Sequence, residues 1–241
     1  MNYVIFGQGR TGSTLLVRLL QSHPQLQCDG EMLHPRALSK YRSRWLRAFL
    51  RYFPEPFVLW RASRSAKPAY GFKLLYRHVV FPARLLFCLR WLGWKIIHIQ
   101  RRTLFDVALS RKVAQTTHHW SDHDASTPDD LHLTFSPDEF LDQMRWSVNI
   151  LRQEGRALHN IPHIPVVYED DLLAEADRQR ICNVIFAALQ LESHEASTTK
   201  QRTWNRPYPE LITNYAELQS LTETDQGRAL QTEWELLIHR G

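Results

Sequence analysis

The chain opens on the stretch that most restricts what it can fold into. Met1 to Thr14 reads MNYVIFGQGRTGST and runs directly into LLVRLLQSHP. An apolar run (Tyr3, Val4, Ile5, Phe6), a glycine-bearing turn and leucines at helical spacing (Leu15, Leu16, Leu19, Leu20) spell a buried strand, an anion loop and a helix. Gly7 and Gly12 take the glycine positions of a G-x-x-x-x-G-K-[ST] phosphate loop, whose curled backbone aims several N–H groups at one anion beside a helix N-terminus. The lysine of that pattern is replaced by Ser13, and the nearest cation is Arg10, inside the loop. With neither that lysine nor an evident magnesium-binding acid, the pattern predicts anion binding without nucleoside triphosphate hydrolysis.

Strand and helix signals alternate along the rest of the 241 residues. Tyr70–Tyr76, Trp94–Ile99 and Ile164–Tyr168 read as further strands, with an extended segment over Leu26–Glu31. Helical periodicity covers Phe81–Leu92, Thr103–Lys112, Arg178–Leu189 and a region from Asn214, and Ser136-Pro137-Asp138-Glu139 reads as a capped helix start. The economical architecture is one α/β domain over residues 1–241, a parallel sheet of phosphate-loop type with helices on both faces.

A formal charge of +5 and a pI near 9.2 favour an anionic partner. Residues 36–67 concentrate the excess: nine basic residues, Arg36 to Lys67, stand against Glu55 alone. Trp45, Leu46, Phe49, Leu50 and Phe53 recur among them at helical intervals. This is an amphipathic helix with an arginine face, open to three readings: a solvated face, a patch for an anionic substrate or membrane surface, or a nucleic-acid contact, the last without any accompanying signature. Cys28, Cys88 and Cys182 form neither a disulfide framework nor a metal-ligand spacing. With no signal peptide or apolar span of membrane length, the expected setting is the cytoplasm.

Several polar residues stand where chemistry would need them. Glu31 closes the extended segment near the sheet edge, where ligands of open parallel sheets collect, and reads either as a catalytic carboxylate or as a cap or partner of Arg36. Lys73 interrupts an apolar strand, either snorkelling or held as a point charge. Arg101 and Arg102 follow the third strand, Ser110 lies eight positions after Arg102, and together these make a second anion cradle. Two cradles suit a ligand with two separated anionic groups. His98 reads as a core histidine, and His118, His119, His123 and His132 lie in a turn-rich segment without standard zinc spacing.

These stretches resemble the sulfotransferases that use 3′-phosphoadenosine 5′-phosphosulfate (PAPS), above all bacterial carbohydrate enzymes of the nodulation-factor and trehalose-sulfating kind. Gly9–Leu16 is similar to the family's loop for the 5′-phosphosulfate, and Arg102–Ser110 (RTLFDVALS) to its 3′-phosphate motif. Tyr168-Glu169-Asp170 resembles a structural strand end, and Lys200–Leu218 the segment that covers the cofactor. The resemblance implies donor contacts from Arg10, Thr11, Gly12, Ser13, Thr14, Arg102, Ser110, Lys200 and Arg202, and charge stabilisation by Arg10 and Lys73 without a metal. It implies Glu31 as general base, by likeness to the trehalose-sulfating branch, with Asp29 and His34 as neighbours able to replace it. The acceptor it implies is a carbohydrate or glycolipid hydroxyl, bound by insertions at 34–68 and 115–138. The rival readings are a phosphate-loop kinase of a small metabolite and a non-catalytic module that binds anions or a membrane surface.

Overall fold

The computed structural model describes residues 1–118, 131–198 and 207–239. Among them the chain runs β1 (Asn2–Gly7), α1 (Ser13–Gln21), β2 (Leu26–Cys28), α2 (Pro35–Leu38), α3 (Arg44–Tyr52), α4 (Glu55–Ser63) and β3 (Ala69–Leu75). A 3₁₀ turn (Tyr76–His78) leads to α5 (Pro82–Trp91), β4 (Lys95–Gln100), α6 (Leu104–Thr117), α7 (Pro137–Ala157), β5 (Ile164–Val167) and α8 (Tyr168–Asp171). The order closes with α9 (Glu175–Ala188), α10 (Tyr208–Leu211), α11 (Tyr215–Ser220) and α12 (Asp225–His239). Two compact units result, one of Met1–Arg101 with Gln153–Thr198, the other of Arg102–Arg152 with Thr199–Arg240.

The first unit is built on a five-stranded sheet of order β2-β3-β1-β4-β5, every pairing parallel. Alternation along β1 explains its two faces. Tyr3 and Ile5 join Leu16, Leu20, Ile181 and Phe186 from α1 and α9 on one side. Val4 and Phe6 join Val58, Leu85, Leu86 and Trp94 on the other, where α4 and α5 pack. Each such side chain withdrawn from water contributes about 1.5–3 kcal/mol, so both helix layers are held by the same strand. The strand order reverses around β1, with β2 and β3 on one side and β4 and β5 on the other, which opens a crevice at its carboxyl end. The α/β class expected from the sequence is the one observed.

Local departures have local causes. The segment read as extended through Glu31 leaves strand geometry after Cys28, because Gly30 adopts φ 58° and turns the chain. Tyr168, read as a strand end, instead opens the helical turn α8. His98 is wholly buried in β4, its ring between those of Phe6 and His163, with Nε2 3.4 Å from Glu154 Oε2. The second unit packs Phe105, Phe140, Met144, Leu218 and Trp234 into a separate helical core. Asn214 closes a loop there, its amide bonding both the N–H and the carbonyl of Phe135.

Two glycines separate a packing effect from a chain-entropy effect. Gly71 pairs with Tyr3 in the sheet, and a methyl group there would overlap the buried phenol ring, whereas Gly155, on exposed helix surface, has nothing within 4 Å of such a group. Gly71→Ala should lower stability by about 1–3 kcal/mol, and Gly155→Ala should raise it by roughly 0.5–1 kcal/mol. Urea denaturation midpoints that move in the same direction for both would contradict this packing.

Candidate active site

The five residues after Gly7 turn β1 into α1 through two left-handed positions, Arg10 (φ 75°) and Gly12 (φ 86°). For arginine that conformation costs about 1–2 kcal/mol, the kind of strain that collects at ligand clamps. Gly12 stands at the helix N-cap, where no side chain caps α1 and no acid occupies its first turn. Its first N–H groups therefore keep their capacity for an outside acceptor, and the helix dipole favours an anion there. Thr11 is buried and fixes the loop by donating from Oγ1 to the Gln8 carbonyl at 3.0 Å. Gln8 is 3% exposed, and neither its amide nitrogen nor its oxygen has a partner among the described residues. A buried amide left so costs about 1–3 kcal/mol, which a bound ligand can recover.

Only a glycine fits at position 12 for a second reason. A methyl group there would overlap the ring of Tyr168, which lies against the loop from the start of α8. The Arg101 guanidinium sits 4.9 Å from that ring's centre, and its Nε is 3.3 Å from Glu169 Oε1. Tyr168 thus braces the loop, and Glu169 holds Arg101 beside its ring.

A carboxylate cluster stands beside the loop. Beyond Cys28 the β2–β3 ladder continues through Asp29 N to Gly71 O (3.0 Å) and Lys73 N to Gly30 O (2.8 Å), which delivers Glu31 to the end of β3. Lys73, 6% exposed and level with Ile5 in the sheet, places Nζ 2.6 Å from Glu31 Oε1 and 3.3 Å from Thr14 Oγ1. His78 Nε2 lies 3.5 Å from Glu31 Oε2, at the outer limit of a hydrogen bond. Burial alone would raise the Glu31 carboxyl, but the nearby His78 imidazole and the Lys73 ammonium outweigh it and hold the group well below the usual carboxylate range. Glu31 is therefore engaged by Lys73 and His78 rather than by Arg36.

Glu31, His34 and His78 bring ligand-type atoms within 4.8 Å of one another. The donor set does not suit a cation. Nδ1 of His34 accepts from Arg36 N at 3.1 Å and Nδ1 of His78 from Leu75 N at 3.2 Å, so each neutral ring carries its proton on Nε2. With the His78 N–H and the Lys73 ammonium on the Glu31 carboxylate and the His34 ring beside them, the cluster handles protons and anions. The His34 and His78 rings meet edge-on at 5.1 Å, and burial, then His78, push the His34 pKa down.

Asp29 is committed elsewhere. Its Oδ2 accepts from Tyr70 Oη (2.6 Å) and from Arg61 Nε (2.8 Å) and Nη2 (2.6 Å), while Gln27 reaches Oδ1. Arg102 follows β4 by two residues and Ser110 is buried on α6, both in the second unit. Lys200 and Arg202 lie outside the described residues, as do His119 and His123. The first unit thus gathers Arg10, Thr11 and Gly12 in the loop with Ser13 and Thr14 at the start of α1, and joins them to Glu31 through Lys73. Sequence reasoning missed Gln8 and His78. Gln8 carried no signal beyond its place between the two glycines, whereas a histidine just past the strand that holds Lys73 was legible as a neighbour.

The Sulfotransferase family model matches residues 3–79. That span contains the loop, Glu31, Lys73 and His78, and excludes Arg102 and Ser110. Among solved structures, a sulfotransferase from Alicyclobacillus acidocaldarius is similar, with a TM-score of 0.55 and 17% identity over 100% of this chain and 96% of that one. The sulfotransferase domain of the olefin synthase of Synechococcus PCC 7002 gives 0.53 and 12%, over 99% and 94%. At these identities the likeness is one of fold. No curated protein sequence matches the chain.

Asp29 supplies a pH-dependent test of the site's frame. Burial opposes its ionisation, but the bonds from Tyr70, Gln27 and Arg61 prevail and lower its pKa. A depressed folded value means that the stabilisation is complete above the unfolded carboxylate value of about 4 and is lost as pH falls through the folded value. Asp29→Asn should cost about 1–3 kcal/mol at pH 7 and flatten the acid limb of the melting curve. An unchanged dependence of Tm on pH between neutrality and about pH 3 would contradict the role given to these bonds.

Proposed function

We propose that the chain transfers a sulfuryl group from PAPS to a hydroxyl of a carbohydrate or glycolipid acceptor. The observation that carries this reading is the double contact of Lys73, whose ammonium touches both Thr14 at the head of the anion loop and the carboxylate of Glu31. The head of the anion loop and a carboxylate thus share one buried cation. The family match over residues 3–79 and the shared fold support the same chemistry.

In this reading the phosphosulfate sits on the N–H groups of residues 11–14, with Arg10 and Gln8 completing the loop's polar contacts. Arg102 and Ser110 take the 3′-phosphate, and Lys200 and Arg202 belong to a segment that covers the donor. The acceptor oxygen attacks sulfur in line, the bond from sulfur to the 5′-phosphate oxygen breaks, and the acceptor's proton passes to Glu31. The leaving nucleotide carries the new negative charge, which Arg10 and Lys73 neutralise. Little covalent chemistry falls to the protein, so positioning and charge stabilisation dominate.

Lys73 also sets when Glu31 is a competent base. In the free protein the ammonium and His78 hold the carboxylate ionised and weakly basic. A sulfonate arriving at Thr14 competes for the same ammonium, and each unit of proton affinity returned to Glu31 corresponds to about 1.4 kcal/mol. The donor thereby prepares the base that the acceptor needs. Asp29, already saturated, does not share this role.

Transfer of labelled sulfate from PAPS to oligosaccharides, glycolipids and phenols tests the activity directly, and absence of transfer to every class of hydroxyl would contradict it. Glu31→Gln should keep affinity for 3′-phosphoadenosine 5′-phosphate and lower kcat by at least about 10²-fold, and a near-normal rate would assign the proton to another group. Arg102→Ala should weaken that nucleotide at least about tenfold, as loss of a charged hydrogen bond does, while leaving adenosine 5′-phosphosulfate unaffected. Equal losses for both ligands would remove Arg102 from the 3′-phosphate.

A further inference from the structure

The first unit carries an apolar surface that the transfer chemistry does not use. Helix α3 buries Leu50 alone, while Trp45 (87% exposed), Phe49 and Tyr52 on it, and Phe53 at its end, face water. At 100° per residue those four aromatics fall in one sector, and Arg44, Arg47 and Arg51 in the opposite one. A helix that packs on a core turns its apolar sector inward, and this one turns it out. Large aromatics on one side, arginines on the other and no acid within the helix are the features of a helix lying in the headgroup plane of an anionic bilayer. The surrounding residues 36–67 add to the positive charge, with Glu55 their single acid.

This surface leads into an open cleft of about 750 Å³, lined among others by Tyr76, Phe81, Arg84, Gln153 and Arg156. At the outer end the Phe81 ring meets Tyr52 edge-on at 6.1 Å. The Arg84 guanidinium lies over Phe53 and Phe81, bonds Glu55 at 2.9 Å and donates to the Tyr52 carbonyl. At the inner end Tyr76 follows β3 directly and contacts Phe6, with ring centres 6.4 Å apart, at the carboxyl end of β1. Two residues, at most about 7 Å of backbone, separate Tyr76 from His78, which faces Glu31.

We propose that α3 docks on an anionic membrane surface and that the cleft receives the hydroxyl-bearing head of an amphiphile held in that surface. The docking stands by itself, whereas the acceptor assignment rests on the sulfuryl-transfer reading. The ring contacts from Phe49 through Phe53, Arg84 and Phe81 into the cleft that Tyr76 lines mark the amphiphile's path, and the arginine sector meets the lipid phosphates.

Flotation of the full chain with phosphatidylcholine vesicles, with and without phosphatidylglycerol, tests the docking without donor or activity. The chain should float with the anionic vesicles and remain behind with the neutral ones. Trp45→Ser with Phe49→Ser should weaken vesicle binding at least about tenfold while the chain stays folded, since Trp45 is exposed and Phe49 half-exposed, and Arg44→Gln with Arg47→Gln and Arg51→Gln should remove the preference for anionic lipid. A wild type that ignores anionic vesicles, or a Trp45/Phe49 variant that floats as well as wild type, overturns the proposal. Self-association lost in that variant, without vesicle binding, would give the face to a second copy and also overturn it.

The acceptor is then tested by sulfate transfer to a glycolipid in anionic vesicles against its free headgroup oligosaccharide. The vesicle-borne form should be preferred, and the Trp45/Phe49 variant should lose that preference alone. Preference for the free oligosaccharide overturns the acceptor assignment. Vesicle binding with transfer to neither form overturns the sulfuryl-transfer reading and leaves the docking surface in place.

Discussion

A lysine in an interior strand is a burden that the rest of the site is arranged to bear. Lys73 lies in β3 between apolar neighbours, where an unpaired ammonium would be desolvated at a cost of several kcal/mol. Glu31 relieves that cost, and delivering Glu31 requires that β2 end early, that Gly30 turn the chain and that the ladder resume through Lys73 N. His78, fixed through Leu75 N, supports the other carboxylate oxygen. Thr14 ties the same cation to α1, so a single buried charge sets the spacing between the anion loop and the carboxylate.

The loop has its own support on the opposite side of β1. Tyr168 packs where a side chain at position 12 would have to go, and Arg101 and Glu169 hold that ring in place. Gly12 is thus required by tertiary packing as well as by its left-handed backbone. Conformational strain of this kind is kept where the surrounding structure leaves the chain no alternative, and the uncapped N-terminus of α1 is its result.

How far the sequence was legible depends on the distance over which each feature is encoded. The strand, loop and helix at the start are written in consecutive residues, and β1, α1, β3 and β4 fall close to where periodicity puts them. The lysine in an apolar run announced a held charge, but its partner could not be read, because Glu31 and Lys73 are 42 residues apart in sequence and meet only through the parallel pairing of β2 with β3. Arg36, the nearby cation, was the natural guess and is not the partner. Gln8 was missed for a related reason, since its burial is a property of the assembled crevice and leaves no pattern of its own, whereas His78 stood legibly beside the Lys73 strand. In α3 the amphipathic spacing was plain, yet which sector faces water is decided by what packs against the helix.

The proposed function requires this crevice to discriminate among nucleotides by the placement of anions and not by a metal-bound triphosphate. The most direct measurement is the thermal stability of the full chain with 3′-phosphoadenosine 5′-phosphate in the absence of magnesium, set against ATP with magnesium. A shift of several degrees from the first, corresponding to at least about 2–3 kcal/mol at saturating ligand, and none from the second is the result expected. Stabilisation by magnesium–ATP without any response to the 3′-phosphorylated nucleotide would contradict it.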